Sequence, residues 1–259
     1  MARYDIARLR DDFSRAAPFY EARADLQRVI AATVAKKLQG LPLSGKRVLD
    51  LGIGTGFVPR QCKKKYQWVG LDLAEGMLRV LRSELPELPC VLADMQDLPL
   101  ADECVDAAVS SLAVQWLNEP LAALCEMRRV IRPGGHMVLA TFVPPTMHEM
   151  IASWQHALPH MRSPINELMD IDAWQNAARN AGFKVLEAEL ATHIEHYKSF
   201  GDFAVHLKHI GAGSKREDRE GRLTPGDFQR LGEFYEQHFA DEKGVRVSWH
   251  SYYLSLYRE

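Results

Sequence analysis

The sequence predicts an α/β protein built on a doubly wound, mostly parallel sheet, and three observations carry that expectation. Short apolar runs alternate with helix-patterned segments from residue 46 onward, the rhythm of βαβ units. A glycine-rich turn, GIGTG at 52–56, follows the first apolar run directly. Asp50, Asp72 and Asp94 stand at the ends of the first three runs, along the sheet edge where open α/β folds bind their ligands.

Taken in order, residues 19–39 read as a helix with Pro18 at its first turn, where a fixed φ and a missing N–H do no harm. On it Tyr20, Ala24 and Gln27 fall at i, i+4 and i+7 and share a face, with an apolar stripe of Leu26, Val29, Ile30, Thr33 and Val34 on another side. KRVLDLG (46–52), WVGLDL (68–73), PCVLADM (89–95) and VDAAVSSL (105–112) are strands. A helix at 119–131 is expected to stop at Pro133, Gly134 and Gly135, ahead of the strand HMVLATF (136–142). Right-handed crossovers between parallel strands then wind the sheet on both faces.

After residue 145 the rhythm changes. A helix at 172–181 is closed by Gly182, and KVLEAELATHIEHY (184–197) follows as a strand. Two helical stretches, 199–210 and 225–240, precede a last strand, VRVSWHSYYLSLYRE (245–259). The expectation is one domain over 1–259 with seven strands, a ligand-binding core at about 45–145 and a helical insertion at about 199–243 between the last two strands.

Composition narrows the function. At 259 residues the chain can bury a sizeable core, and a formal net charge of −2 argues against a nucleic-acid binder. Cys62, Cys90, Cys104 and Cys125 are widely spaced with no CxxC, so reduced thiols are expected rather than a zinc or disulfide framework. The first thirty residues lack an apolar signal core, and no run of about 18 apolar residues occurs, so no membrane role and a cytoplasmic location are expected. The pairs His193/His196 and His206/His209 invite a metal reading, but no third ligand stands at a convincing spacing, and no metal is expected.

The glycines carry the chemistry. Gly52, Gly54 and Gly56 allow a tight turn with backbone N–H groups close to a ligand. Their G-x-G-x-G spacing is not the G-x-G-x-x-G of dinucleotide binders. Asp72, twenty residues after Gly52, can accept both hydroxyls of a ribose. A loop that merely turns, with acids that cap helices, is the plainer alternative; acids ending the second and third strands weigh against it.

VLDLGIGTGF (48–57) with Asp72 and Asp94 resembles the class I S-adenosylmethionine-dependent methyltransferases, over about residues 45–145 and the last two strands. The resemblance implies a Rossmann-like seven-stranded fold with an N-terminal helical lid. It implies that the glycine loop lies under the cofactor's amino acid end, that Asp72 holds the ribose and that Asp94 holds the adenine amino group. It further implies cofactor contacts from Tyr20, Gln27, Asp50, Ile53, Leu73, Met77, Met95 and Ser111. Tyr20 equally suits a place in the core.

Narrower segments are FSRAAPFYEARADLQR (13–28), SSLAVQWLNEP (110–120), RRVIRPGGHMVLATF (128–142), HEMIASWQ (148–155) and LKHIGA (207–212). In this order they resemble the malonyl-acyl carrier protein O-methyltransferases of biotin synthesis, across nearly the whole chain. Ile53 replaces that family's usual cysteine, and the His148 triplet departs from its usual leucine-initiated one. The implied reaction moves a methyl group from S-adenosylmethionine to the free carboxylate of a malonyl thioester on acyl carrier protein or coenzyme A, leaving S-adenosylhomocysteine. A carboxylate is ionised at neutral pH, its reference pKa being about 4, so no general base is expected.

Lys208 is the expected holder of the malonyl carboxylate, against the alternative of a solvated helix lysine ended by the Gly211, Ala212, Gly213 turn. Gln115 and Trp116 follow the fourth strand, where acceptors meet the methyl group, although Trp116 equally suits the core. His148 and Trp154 are expected on the acceptor side, and among Lys215, Arg216, Arg219 and Arg222 either Arg216 or Arg222 would steer an acidic carrier. Two other readings stand beside this one: a class I methyltransferase acting on another small acid or a quinone-type ring, and a regulatory cofactor binder that has lost catalysis. Intact glycines and acids speak against the last.

Overall fold

Val48, Leu49 and Leu51 are all fully buried, so the strand that carries them must be covered on both faces. In a computed structural model, which describes residues 3–62, 65–161, 163, 165–210 and 223–259, this strand, β1 (Arg47–Leu51), sits mid-sheet. The other strands are β2 (Gln67–Asp72), β3 (Cys90–Leu92), β4 (Val105–Ser111), β5 (Ile131–Phe142), β6 (Lys184–Tyr197), the two-residue β7 (Ala240–Asp241) and β8 (Gly244–Tyr257). They run in the order β3-β2-β1-β4-β5-β8-β6, with β7 paired to β8. β1 to β5 pair in parallel, and β8 lies antiparallel to both β5 and β6. Successive strands are added to one side of β1 as far as β3 and to the other side from β4 onward, which puts the ends of β1 and β4 at a switch point, the crevice such sheets offer a ligand.

Nine helices flank this sheet among the described residues: α1 (Ile6–Tyr20), α2 (Asp25–Gly40), α3 (Phe57–Gln61), α4 (Glu75–Glu84), α5 (Pro120–Val130), α6 (His148–Ala157), α7 (Ile171–Asn180), α8 (Phe200–His209) and α9 (Pro225–Phe239). On one face Ile30, Val34 and Leu38 of α2 pack on Val48, Ala107 and Val138, in a cluster that extends to Trp154, Phe203 and Tyr235 of the later helices. On the other face Leu124 and Met127 of α5 and Trp174 of α7 cover Leu49, Leu139 and Leu254.

Three expectations about elements change. Residues 19–39 are not one helix: α1 ends at Tyr20 and α2 begins at Asp25, so Pro18 lies inside α1 and Tyr20 and Gln27 sit on different helices. Pro18 leaves the Ser14 carbonyl without its helical donor, and that turn of α1 is where α4 comes closest. A side chain on Gly76 would stand 2.3 Å from the Ser14 carbonyl oxygen, so only glycine permits this packing. Asp5 caps α1 by accepting from the Arg8 N–H at 3.0 Å.

The helix before Pro133 ends at Val130, and β5 begins at once with the buried Ile131. Its register with β4 slips between the Val105↔Ile131 and Ala107↔His136 pairs, which accommodates Pro133, Gly134 and Gly135 inside the strand. The segment containing His148 and Trp154 forms a helix of its own, α6, of 10 residues, which the sequence pattern did not announce.

Candidate functional site

The glycine loop is fixed before any ligand is considered. Gly52 and Ile53 both donate to the Leu71 carbonyl, at 2.8 and 3.0 Å, which ties the loop to β2. Gly52 has φ 70°, and a side chain there would stand 2.3 Å from the Ala113 Cβ, so conformation and space both demand glycine. Asp72 receives the Gly54 N–H on Oδ2 and the Ala74 N–H on Oδ1, each at 2.8 Å. Burial pushes its carboxyl up, against the lowering effect of those backbone donors. A carboxylate has about four acceptor sites, so two oriented oxygens retain capacity for a ligand's hydroxyls. Asp94 accepts the Gln96 N–H at 2.9 Å.

A cavity of about 110 Å³ opens above this loop. Of the anticipated cofactor residues, Tyr20, Gly52, Gly54, Asp72, Leu73, Met77, Asp94, Met95 and Ser111 all line it. Ile6, Leu9 and Phe13 of α1 roof it, and sequence reasoning missed them. Their spacing with Ala16, Ala17 and Tyr20 is a helical stripe, a signal legible in principle. Burial, then the nearby Asp72 charge, holds the Tyr20 phenol above its usual range, so its hydroxyl remains a donor at neutral pH.

Four anticipated residues do not reach this cavity, and one of them, Gln27, lines a neighbouring cavity instead. Gly56 instead precedes α3 in a left-handed conformation, as its N-cap. The Ile53 side chain turns under the sheet, into a cluster with Leu78 and Leu81. Asp50 is 1% exposed and lies beneath the loop with its Oδ2 unpaired among the described residues. Burial first, and Asp72 second, raise its carboxyl well above the ordinary range.

A second, larger cavity of about 260 Å³ lies under α6, α8 and α9. Gln115, Trp116 and Trp154 line it as anticipated, and Tyr20 and Gln27, both expected at the cofactor, line it too. Four residues, Phe13, Tyr20, Leu112 and Trp116, belong to both cavities and form the passage between them. Trp116 is therefore a wall of the site, braced edge-on by Tyr4 at 5.8 Å and Phe13 at 5.7 Å. Leu112 takes φ 55°, a left-handed conformation that a branched side chain adopts only when its surroundings impose it. It turns the chain from β4 into the Val114–Trp116 turn that presents Gln115 and Trp116.

Two residues expected on the acceptor side line neither cavity. Lys208 is exposed on α8 and lines neither cavity, because Ala204 and Leu207 occupy the helix face that does. His148 also stays outside: its ring packs on Phe239 and His250, and its Nδ1 lies 3.5 Å from Glu149, at the seam of α6 and β8. Gly211, Ala212, Gly213, Lys215, Arg216, Arg219 and Arg222 lie outside the described residues. His193 meets Ser251 and His196 meets Asp241, each at 2.9 Å, and on a strand residues three apart face opposite ways.

Comparison with known proteins agrees with this geometry. The family described as a methyltransferase domain matches residues 49–139. A malonyl-acyl carrier protein O-methyltransferase of Dechloromonas aromatica is 32% identical, covering 96% of this chain and 93% of that protein. A biotin biosynthesis bifunctional protein BioHC of Teredinibacter turnerae is 31% identical over 96% of this chain, which spans only 46% of that protein's length. Among solved structures, one titled a putative methyltransferase from Bacillus halodurans superposes with a TM-score of 0.62 at 19% identity, covering 86% of this chain and 97% of that one. With a class I sheet, a glycine loop under acidic strand ends and relatives aligned along nearly its whole length, the chain belongs to the malonyl-acyl carrier protein O-methyltransferase family.

Proposed function

We propose that the protein transfers the methyl group of S-adenosylmethionine to the free carboxylate of a malonyl thioester borne on acyl carrier protein, as an early step in making biotin's pimeloyl moiety. The observation that carries this reading is the pair of cavities joined at Phe13, Tyr20, Leu112 and Trp116: one is built on acids and glycines, the other is apolar. A donor and an acceptor can each occupy one and meet at the passage.

The residues present fit the donor. Asp50, outside the cavity lining and beneath the loop, has a carboxylate oxygen unpaired among the described residues, which an ammonium on the loop can reach through a bridging water. Asp72 is held by backbone donors with capacity left for a ribose, and Ala93, Asp94 and Met95 line the same cavity for a purine. When bound, the cofactor supplies a methyl carbon on a positively charged sulfur. The C–S bond breaks as the C–O bond forms, so the sulfonium becomes a thioether and the carboxylate becomes an ester.

No proton moves in that step, and the chain's work is alignment and the exclusion of water. Phe13, Trp116 and Leu112 keep the passage dry, which strengthens the attraction between opposite charges brought together there. The test is incubation with methyl-labelled cofactor and, separately, malonyl-carrier, malonyl-coenzyme A and free malonate. Methyl ester on the carrier-bound malonyl group is expected. Ester formation only on free malonate moves the protein to the small-acceptor class, and no ester on any of them sinks the reading.

A further inference from the structure

We infer that the acceptor's carboxylate is held by uncharged amides, those of Gln27, Gln115 and Asn166, and not by a cation. This rests on the acceptor reading above and deepens it. No lysine, arginine, histidine, aspartate or glutamate lines the acceptor cavity among the described residues. Its side-chain polar groups include three amides from three separate elements: Gln27 from α2, Gln115 from the turn after β4, and Asn166 from the segment between α6 and α7.

The side-chain oxygens of all three are buried and without a hydrogen-bond partner among the described residues. Buried polar groups are normally paired, and three amide oxygens left unpaired in one apolar cavity point to a ligand that pairs these side chains. Which end of each amide faces inward is not fixed by shape, because a rotation about the last bond exchanges oxygen for nitrogen. Turned, each presents N–H donors to the same space, and a carboxylate accepts several at once.

The chemistry favours such a clamp. A lysine beside the carboxylate would satisfy its charge and repel the incoming sulfonium. Amide donors orient the two oxygens and leave the negative charge free to be cancelled by the methyl donor alone. The same arrangement discriminates: an acetyl thioester, lacking the carboxylate, would leave the amides unpaired in a dry cavity, the situation in which sites reject an analogue most strongly.

The test uses the full-length protein with malonyl-pantetheine, which removes carrier docking from the readout. Gln115→Met and Asn166→Leu should each raise the acceptor KM at least about tenfold, the loss of one hydrogen bond to a charged group. Cofactor Kd should stay within about twofold for both, and Lys208→Met should leave both constants unchanged. If Gln115→Met does not bind cofactor, and so is misfolded, Asn166→Leu and Gln27→Met serve in its place. The inference is overturned if the amide variants keep the wild-type acceptor KM, or if Lys208→Met or replacement of Arg216 or Arg222 by Gln raises it more than they do. A wild-type protein that esterifies no malonyl thioester would instead overturn the acceptor reading itself.

Discussion

Arg60 is expected to hold the N-terminal helices closed over the cofactor. Its guanidinium reaches Glu21, at the end of α1, with both terminal nitrogens, one at 3.2 Å. The same side chain donates to the Thr55 and Gly56 carbonyls, at 3.2 and 3.3 Å. It also lies 5.0 Å from the centre of the Phe57 ring, whose neighbour in the stack is Tyr20 at 6.0 Å. One side chain thus joins the glycine loop to the turn that positions Tyr20. Arg60→Met keeps most of the apolar stem and removes every one of these bonds. The partners are 28% and 31% exposed, between the exposed pairs worth at most about 1 kcal/mol and the buried charged hydrogen bonds worth about 1.5–3 kcal/mol. A loss of about 1.4 kcal/mol in closure corresponds to about a tenfold weaker cofactor Kd.

Calorimetric titration of cofactor reads the Kd, and trypsin cleavage within residues 8–23 reads the lid. Burial raises the Glu21 carboxyl, but bonds from Arg60 and Thr55 and the charges of Arg60 and Arg28 outweigh it and hold it below the ordinary range. A depressed carboxyl stabilises the closed form above its free value of about 4.3 and loses that contribution as pH falls through the depressed value. Glu21→Gln should therefore abolish this acid-side weakening. A Kd within twofold of wild type for Arg60→Met, with cleavage unchanged, would refute the reasoning.

Two further outcomes follow from the loop. Gly52→Ala places a side chain at φ 70° and 2.3 Å from the Ala113 Cβ. Strain of about 1–2 kcal/mol plus overpacking should lower Tm by about 5 °C or more in a chain of this size, and an unchanged melting curve would contradict the loop's geometry. Asp50, raised by burial and by Asp72, binds a proton more tightly in the folded cofactor-free protein than in the unfolded chain, so that form loses stability as pH rises from about 4 through the raised value. An ammonium beside it reverses the preference, so cofactor binding should release a proton, and affinity should rise with pH through the same window. Calorimetry in buffers of different ionisation heat measures this; equal heats, or the same pH dependence in Asp50→Asn, would count against the assignment.

Much of this was legible in the sequence, for reasons that differ by region. The parallel core reads easily because buried strands such as VLDL are apolar runs broken only by Asp50, and the glycine loop marks the turn after the first. The N-terminal lid was obscured by Pro18, which suits a helix start and here sits within a last turn. Cofactor residues at strand ends were found because strand ends are few. The acceptor side was harder, since it is assembled from α1, α2, α6, α8 and α9, whose mutual placement no local pattern records. Lys208 illustrates the gap: its residue type suited a carboxylate, but helix phase turns it outward while Leu207 turns in. Gln115 was found from its place after β4, whereas Asn166 follows an irregular segment with no periodic signal.

The most direct measurement of the central claim follows the label chemically after reaction with methyl-labelled cofactor and malonyl-carrier. Mild base is expected to release the label as methanol, because it sits in a methyl ester of the malonyl carboxylate. Label that survives mild base, or that appears on unacylated carrier, would contradict the claim.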